Sequence, residues 1–316
     1  MDTKAGGPPN GVTLAAFIGL VLIGGVNIVA VRFSNRELAP FFGAAARFII
    51  ASFLLFGYVI FRRLPLPRGQ ALVGTVIYAV VGFAGSYAFL YWALQTLSAG
   101  VGGIIMASVP LITVLLAVLH RVERFRPRAL LGALLTILGI AVLVGGVENK
   151  VSLPIASLLA MLGAAACVAE SGVIIKRFPP SHPASTNAVA MGIGAILLFL
   201  LSASVKEPWS TPRSTATWVS FVYLAGVGSL GLFGLYLFTL KRWTASGVSY
   251  MGVLVPIVAA VAGALLADEP FTWRMVAGGL IVLVGVYVGA LSGQRKKGSP
   301  VAAPDGCVPA PEEAVA

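Results

Sequence analysis

The chain is 316 residues long, 58% hydrophobic and only 10% charged, with a mean hydropathy of +0.96. A water-soluble globule of that composition would lack polar surface, which excludes soluble enzymes and binding modules and makes a lipid bilayer the expected solvent. The net charge of +11 would suggest nucleic acid in a soluble protein. In a membrane protein the same residues mark loops that stay in the cytoplasm, so no nucleic-acid partner is expected.

Ten apolar runs lie near residues 12–31, 39–61, 69–91, 97–119, 128–146, 153–175, 184–204, 216–239, 245–267 and 273–292. Each is about the twenty residues a helix needs to cross roughly 30 Å of hydrocarbon. Barrel strands would be shorter and alternating, so the predicted class is an all-α polytopic membrane protein. The first run is too long for a signal-peptide core and no A-x-A site follows it, so it reads as a retained first span. Residues 1–11 form a short leading tail, and the Pro-, Ala- and Gly-rich stretch 293–316 reads as a disordered one. Placing both tails in the cytoplasm puts 15 basic residues on that side and 6 on the other, with Arg47 inside a span.

In chain order, the first span carries one amide, Asn27, suited either to a substrate hydrogen bond or to a tie between helices. Arg47, the only base set inside a run rather than at its end, can hold a substrate carboxylate or cap carbonyls of a kinked neighbour. Tyr87 and Tyr91 share a face of the third span. A phenol offers both a ring and a hydrogen bond, as an amphipathic site requires, although simple packing gives the same pattern. Pro110, in the fourth span, removes an amide hydrogen and frees a carbonyl, which makes either a hinge or an inherited kink.

Glu170 interrupts the sixth span, where an acid costs about 2.5–3.5 kcal/mol at membrane depth. Gly163, Cys167, Glu170 and Ser171 recur on one face, a small and weakly polar stripe expected against a cavity or a neighbouring helix. No obvious base lies at that depth, so Glu170 is expected to lack an ionic partner and is a candidate for proton coupling. Ser229 and Tyr236 share a face of the eighth span, and Ser246, Ser249 and Tyr250 share one of the ninth, which also holds Pro256. The G-x-G-x-x-G match within residues 226–234 has no strand before it, so close helix packing explains it better than a nucleotide loop. Cys167 and Cys307 form no C-x-x-C pattern, and H-E-x-x-H and paired carboxylates are absent from the sequence. No metal, cofactor or enzyme activity is therefore expected.

PLITVLLAVLHRVER, from Pro110, and PIVAAVAGALLADEP, from Pro256, each place a glutamate thirteen residues after a proline. They match without a gap at an offset of 146, which also pairs Gly82 with Gly228, Gly85 with Gly231, Ala99 with Ala245, Gly132 with Gly278 and Gly139 with Gly285. One five-span unit, residues 12–147, is thus repeated at 148–292. Five is odd, so the chain leaves the first copy on the opposite face from the one it entered, and the second copy must be inverted. Inverted repeats are the architecture of secondary transporters, which present a midplane site to each side in turn. Glu123 and Glu269, at span ends, are expected to anchor the interface or cap a turn.

Three groups of residues resemble the ten-span drug/metabolite transporter superfamily of EamA type. They are Arg47 in A-A-A-R-F; Pro110 and Glu123 followed by L-L-G-A-L-L-T-I-L-G-I; and Pro256 and Glu269 followed by A-G-G-L-I-V-L-V-G-V. The resemblance covers about residues 12–292, departing at Ile23-Gly24-Gly25, where the family commonly has Trp before Gly. It implies a secondary-active or facilitative transporter of a small-molecule substrate, with a cavity between the copies, working by alternating access in a bacterial inner membrane. Export of amino acids or related metabolites is the expectation. Proton-coupled export of drugs or organic cations, with Glu170 as the anionic partner, is the alternative.

Overall fold

The computed structural model describes residues 10–120, 127–144, 154–175, 177–242, 248 and 251–291, and no strand occurs among them. The helical spans are α1 (Gly11–Ser34), α2 (Pro40–Phe61), α3 (Gln70–Tyr78, Ala79–Gly85 and Ser86–Ala93), α4 (Ala99–Met106 and Val109–Leu119) and α5 (Pro127–Val144). They continue as α6 (Ile155–Ile175), α7 (Pro183–Ser204), α8 (Thr215–Ala225, Val227–Gly231 and Leu232–Arg242), α9 (Met251–Ala267) and α10 (Trp273–Val286 and Tyr287–Leu291). Large apolar side chains such as Phe53, Phe61, Leu159 and Leu265 are exposed on the outside, as lipid contact requires.

α2 and α7 both open on proline, Pro40 and Pro183, where the missing amide hydrogen costs no helical bond. Both stop at a non-glycine residue in the left-handed region, Arg63 at φ 50° and Lys206 at φ 56°. These landmarks pair at an offset of 143 rather than 146, so the second span of each copy slips by three residues against the rest.

The closest-packed helix pairs cross from one copy to the other: α2 lies along α7 and α5 along α10, α1 packs on α8 and α9, and α6 packs on α3 and α4. A Cβ on Gly139 would come 2.8 Å from the Gly278 carbonyl oxygen, and one on Gly132 would come 2.5 Å from that of Gly285. Backbones approach this closely only where neither helix has a side chain. The contacts advance along α5 as they recede along α10, so the two run antiparallel, and the same four glycines are the ones matched at 146. The fold is therefore two inverted five-helix repeats, interlaced rather than set side by side.

Two matched pairs of glycines mark a further departure from regular helix. Ala79–Gly85 in α3 and Val227–Gly231 in α8 are π-helical, and they contain Gly82 and Gly228, and Gly85 and Gly231. Such turns add a residue to the helical ring and re-aim the remainder of the span. The matched prolines behave differently from each other. α4 breaks at Ala107–Ser108, just before Pro110, whereas Pro256 lies inside the continuous helix α9.

Candidate functional site

Arg47 projects from α2, about 10 Å from its N-terminal end at 1.5 Å per residue, and is only 2% exposed. Its Nη1 donates to the Tyr91 hydroxyl (3.1 Å) and its Nη2 to Ser229 Oγ (3.3 Å), while Nε has no partner. The guanidinium lies 4.7 Å from the Phe48 ring centre, 5.2 Å from that of Tyr87 and 5.9 Å from that of Tyr91. Ring faces attract a cation and partly replace its water. Ser229 is held ready for this contact by the π-helical turn: its hydroxyl donates to the Leu224 carbonyl (2.8 Å), leaving a lone pair for Arg47.

Two chambers meet at this guanidinium. One, of about 530 Å³, is lined by Asn27, Arg47, Tyr87 and Tyr236 together with Pro110 and Pro256. The other, of about 230 Å³, shares Arg47, Tyr87 and Tyr236 and adds Ser229, Asn187 and the rings of Phe48, Tyr78, Phe83 and Phe233. Asn27 donates from Nδ2 to the Gly228 carbonyl (2.9 Å), and its buried Oδ1 has no partner. Helix α1 is thereby tied to the π-helical turn of α8, and one acceptor stays free. Tyr91 lines neither chamber, since its ring is fully buried, and meets the site through its hydroxyl.

Six expected residues thus converge: Asn27, Arg47, Tyr87, Tyr91, Ser229 and Tyr236, with Pro110 and Pro256 in the same wall. Ser249 and Tyr250 lie outside the described residues, as do Ser246 and Glu123. Asn187, Tyr78 and Phe48 were not singled out by the sequence; of these only Asn187, a buried amide in an apolar span, carries a signal comparable to that of Asn27.

Glu170 departs from expectation. It lines neither chamber, and both its carboxylate oxygens lie against His120 Nε2, at 2.8 and 3.0 Å. The expected isolation of Glu170 is corrected: the base comes from the end of α4, fifty residues away in sequence. The small-residue stripe packs on α3, with Cys167 and Ser171 against Gly85 and Gly82 and Gly163 against Phe89. With Glu170 engaged there, it supplies no anion to the chambers for an organic cation.

Helices that pair across two inverted copies, around a buried cation and its chambers, define a polytopic membrane transporter rather than an enzyme. The model of the EamA-like transporter family matches residues 11–145 and again residues 155–290, and the chain belongs to that family. A protein of Salmonella typhimurium named probable amino-acid metabolite efflux pump is 25% identical over 279 residues, covering 85% of this chain and 91% of that one. Its namesake in Escherichia coli is 24% identical over 280 residues, with 85% and 91% covered. A crystal structure with the same fold superimposes at a TM-score of 0.62 and 21% identity, spanning 90% of this chain and 99% of its own.

Proposed function

We propose that this protein exports amino acids or related small metabolites across a bacterial inner membrane by alternating access, with Arg47 holding the substrate carboxylate. One observation carries the reading: a buried guanidinium faces two chambers and has no carboxylate beside it among the described residues. Removing a charge from water costs several kcal/mol, and neutral partners and ring faces offset only part of that. A substrate carboxylate would supply the rest through charge-assisted bonds, and the tyrosine and phenylalanine rings would receive its apolar part. The names of the two bacterial relatives agree with this class of substrate. The excess of basic residues on one side favours both tails in the cytoplasm. In that orientation the larger chamber runs from Arg47 past Tyr236 to Val248, toward the cytoplasmic side.

The test is binding to the purified protein of a panel of amino acids and of the amines that lack only the carboxyl group. The parent should prefer the acids. Arg47→Gln should weaken them about 10- to 100-fold, the range for losing a charged hydrogen bond, and leave the amines unchanged. Equal affinity of the parent for acid and amine, or unaltered binding in the variant, would remove the reading.

A further inference from the structure

We propose that the Glu269 carboxylate is the latch of the transport cycle, and that its release from the start of α4 is the step that opens the chambers toward the face where Arg32 lies. Glu269 is 8% exposed and belongs to the second copy. It accepts from groups of the first: the Ala99 amide at 2.9 and 3.0 Å, the Gly100 amide at 3.5 Å, and the Arg32 guanidinium. A carboxylate on the free amides of a helix start, with a cation beside it, is a charge-assisted contact that water replaces only if the elements part.

The local backbone serves this contact. Asp268 takes a left-handed conformation, φ 51°, which reverses the chain at the end of α9 so that the Glu269 amide donates to the Gly263 carbonyl (3.2 Å). Gly263 leaves room for the carboxylate itself, since a Cβ there would collide with Glu269 Oε2. Between latch and chamber, α1, α4 and α9 are packed almost backbone to backbone. A Cβ on Gly103 would come 3.0 Å from Ala259, one on Gly100 would come 3.2 Å from Ala260, and one on Gly25 would collide with Val258. Gly103 also lines the larger chamber. The seal thus runs from the chamber wall to the latch, and no passage opens there unless Ala99–Met106 moves off α9. That segment can pivot, because α4 is already broken at Ala107–Ser108. The sequence repeat pairs Glu269 and Ala99 with Glu123 and Ala245, which lie outside the described residues.

The inference rests on alternating access but not on Arg47 or on the substrate, and its test needs neither. With Cys167 and Cys307 replaced by Ala, Ala262→Cys places a reporter thiol in the apolar cluster it forms with Val29 and Ala99, inside the seal. Ala195→Cys places a control in the buried core, away from it. In detergent, a water-soluble thiol reagent should modify the reporter about tenfold faster in Glu269→Gln than in the parent, as loss of one charged contact predicts, with the control unchanged. Arg32→Gln should act in the same direction, which keeps the test available if the first variant fails to fold. Equal acceleration at both thiols would mean general loosening, and no acceleration at the reporter would mean a static contact; either result overturns the latch. Adding Arg47→Gln should leave the reporter's acceleration intact, so failure of the substrate reading would be seen separately.

Discussion

Glu170 and His120 bond across the two copies, one from α6 and one from the end of α4. Each is partly exposed, so the pair is worth a modest amount, about 0.5–1 kcal/mol after screening. Glu170→Gln and His120→Gln should therefore lower the melting temperature slightly, and the double variant by no more than the larger single effect. Full additivity in that cycle would mean that the contact carries no coupling. The sequence makes the two residues unequally visible. An acid inside an apolar run stands out because hydrocarbon penalises it, as does Arg47 for the same reason. A histidine at a span end blends with every other interfacial residue, and nothing in the spacing links it to an acid fifty positions on. The Arg47 constellation shows the same limit: the base is legible, but Tyr91 and Ser229 are bonded to it only because α2, α3 and α8 meet there.

At the scale of whole elements, the ten spans are legible because length and apolarity are all that a bilayer asks of a helix. Irregularities within the spans are not, since a helix apolar all round has no amphipathic phase to interrupt. The π-helical turns in α3 and α8 and the break in α4 leave only indirect marks, namely glycines and a proline kept in step between the copies. Glycines on the contact between α5 and α10 have a measurable consequence. Gly139→Val would press a branched side chain into the backbone of α10, 2.7 Å from the Val282 amide nitrogen, and should destabilise by about 1–3 kcal/mol as overpacking does. Gly172→Ala, in α6 with nothing within 4 Å of its added carbon, should instead stabilise by about 0.5–1 kcal/mol through helix propensity. Thermal unfolding of the two variants in the same detergent decides this, and a shift of the same sign in both would sink the packing argument.

Across the molecule, three carboxylates among the described residues tie the copies together on the face that holds Arg32, each reaching from a loop of one copy to a helix start in the other. Glu207 accepts from the Phe41 and Phe42 amides of α2, Glu269 from α4, and Glu37 from the Arg213 and Ser214 amides just before α8. The α2–α7 pair is packed along its length, so Glu207 bridges helices that stay together; Glu37 ties the loop after α1 to the start of α8, where the Thr217 hydroxyl also donates to the Phe33 carbonyl (3.4 Å). Donation from the Arg213 amide, and then from Ser214, holds the Glu37 carboxyl below the usual carboxylate range. By linkage, the bonded Glu37 carboxyl takes up a proton less readily than a free one, so the contact is complete above the ordinary glutamate value of about 4.3. It is lost as pH falls through the lowered value. Spin labels on Arg36→Cys and Thr215→Cys, both exposed beside this contact, should therefore report a short, narrow separation at neutral pH and a broader, longer one in acid. Glu37→Gln should show the broad separation already at neutral pH and change little on acidification, because the titrating group is gone. If parent and variant instead give the same separation at both pH values, Glu37 is a surface cap without influence on this contact, and the Arg32 face is held by Glu269 and Glu207.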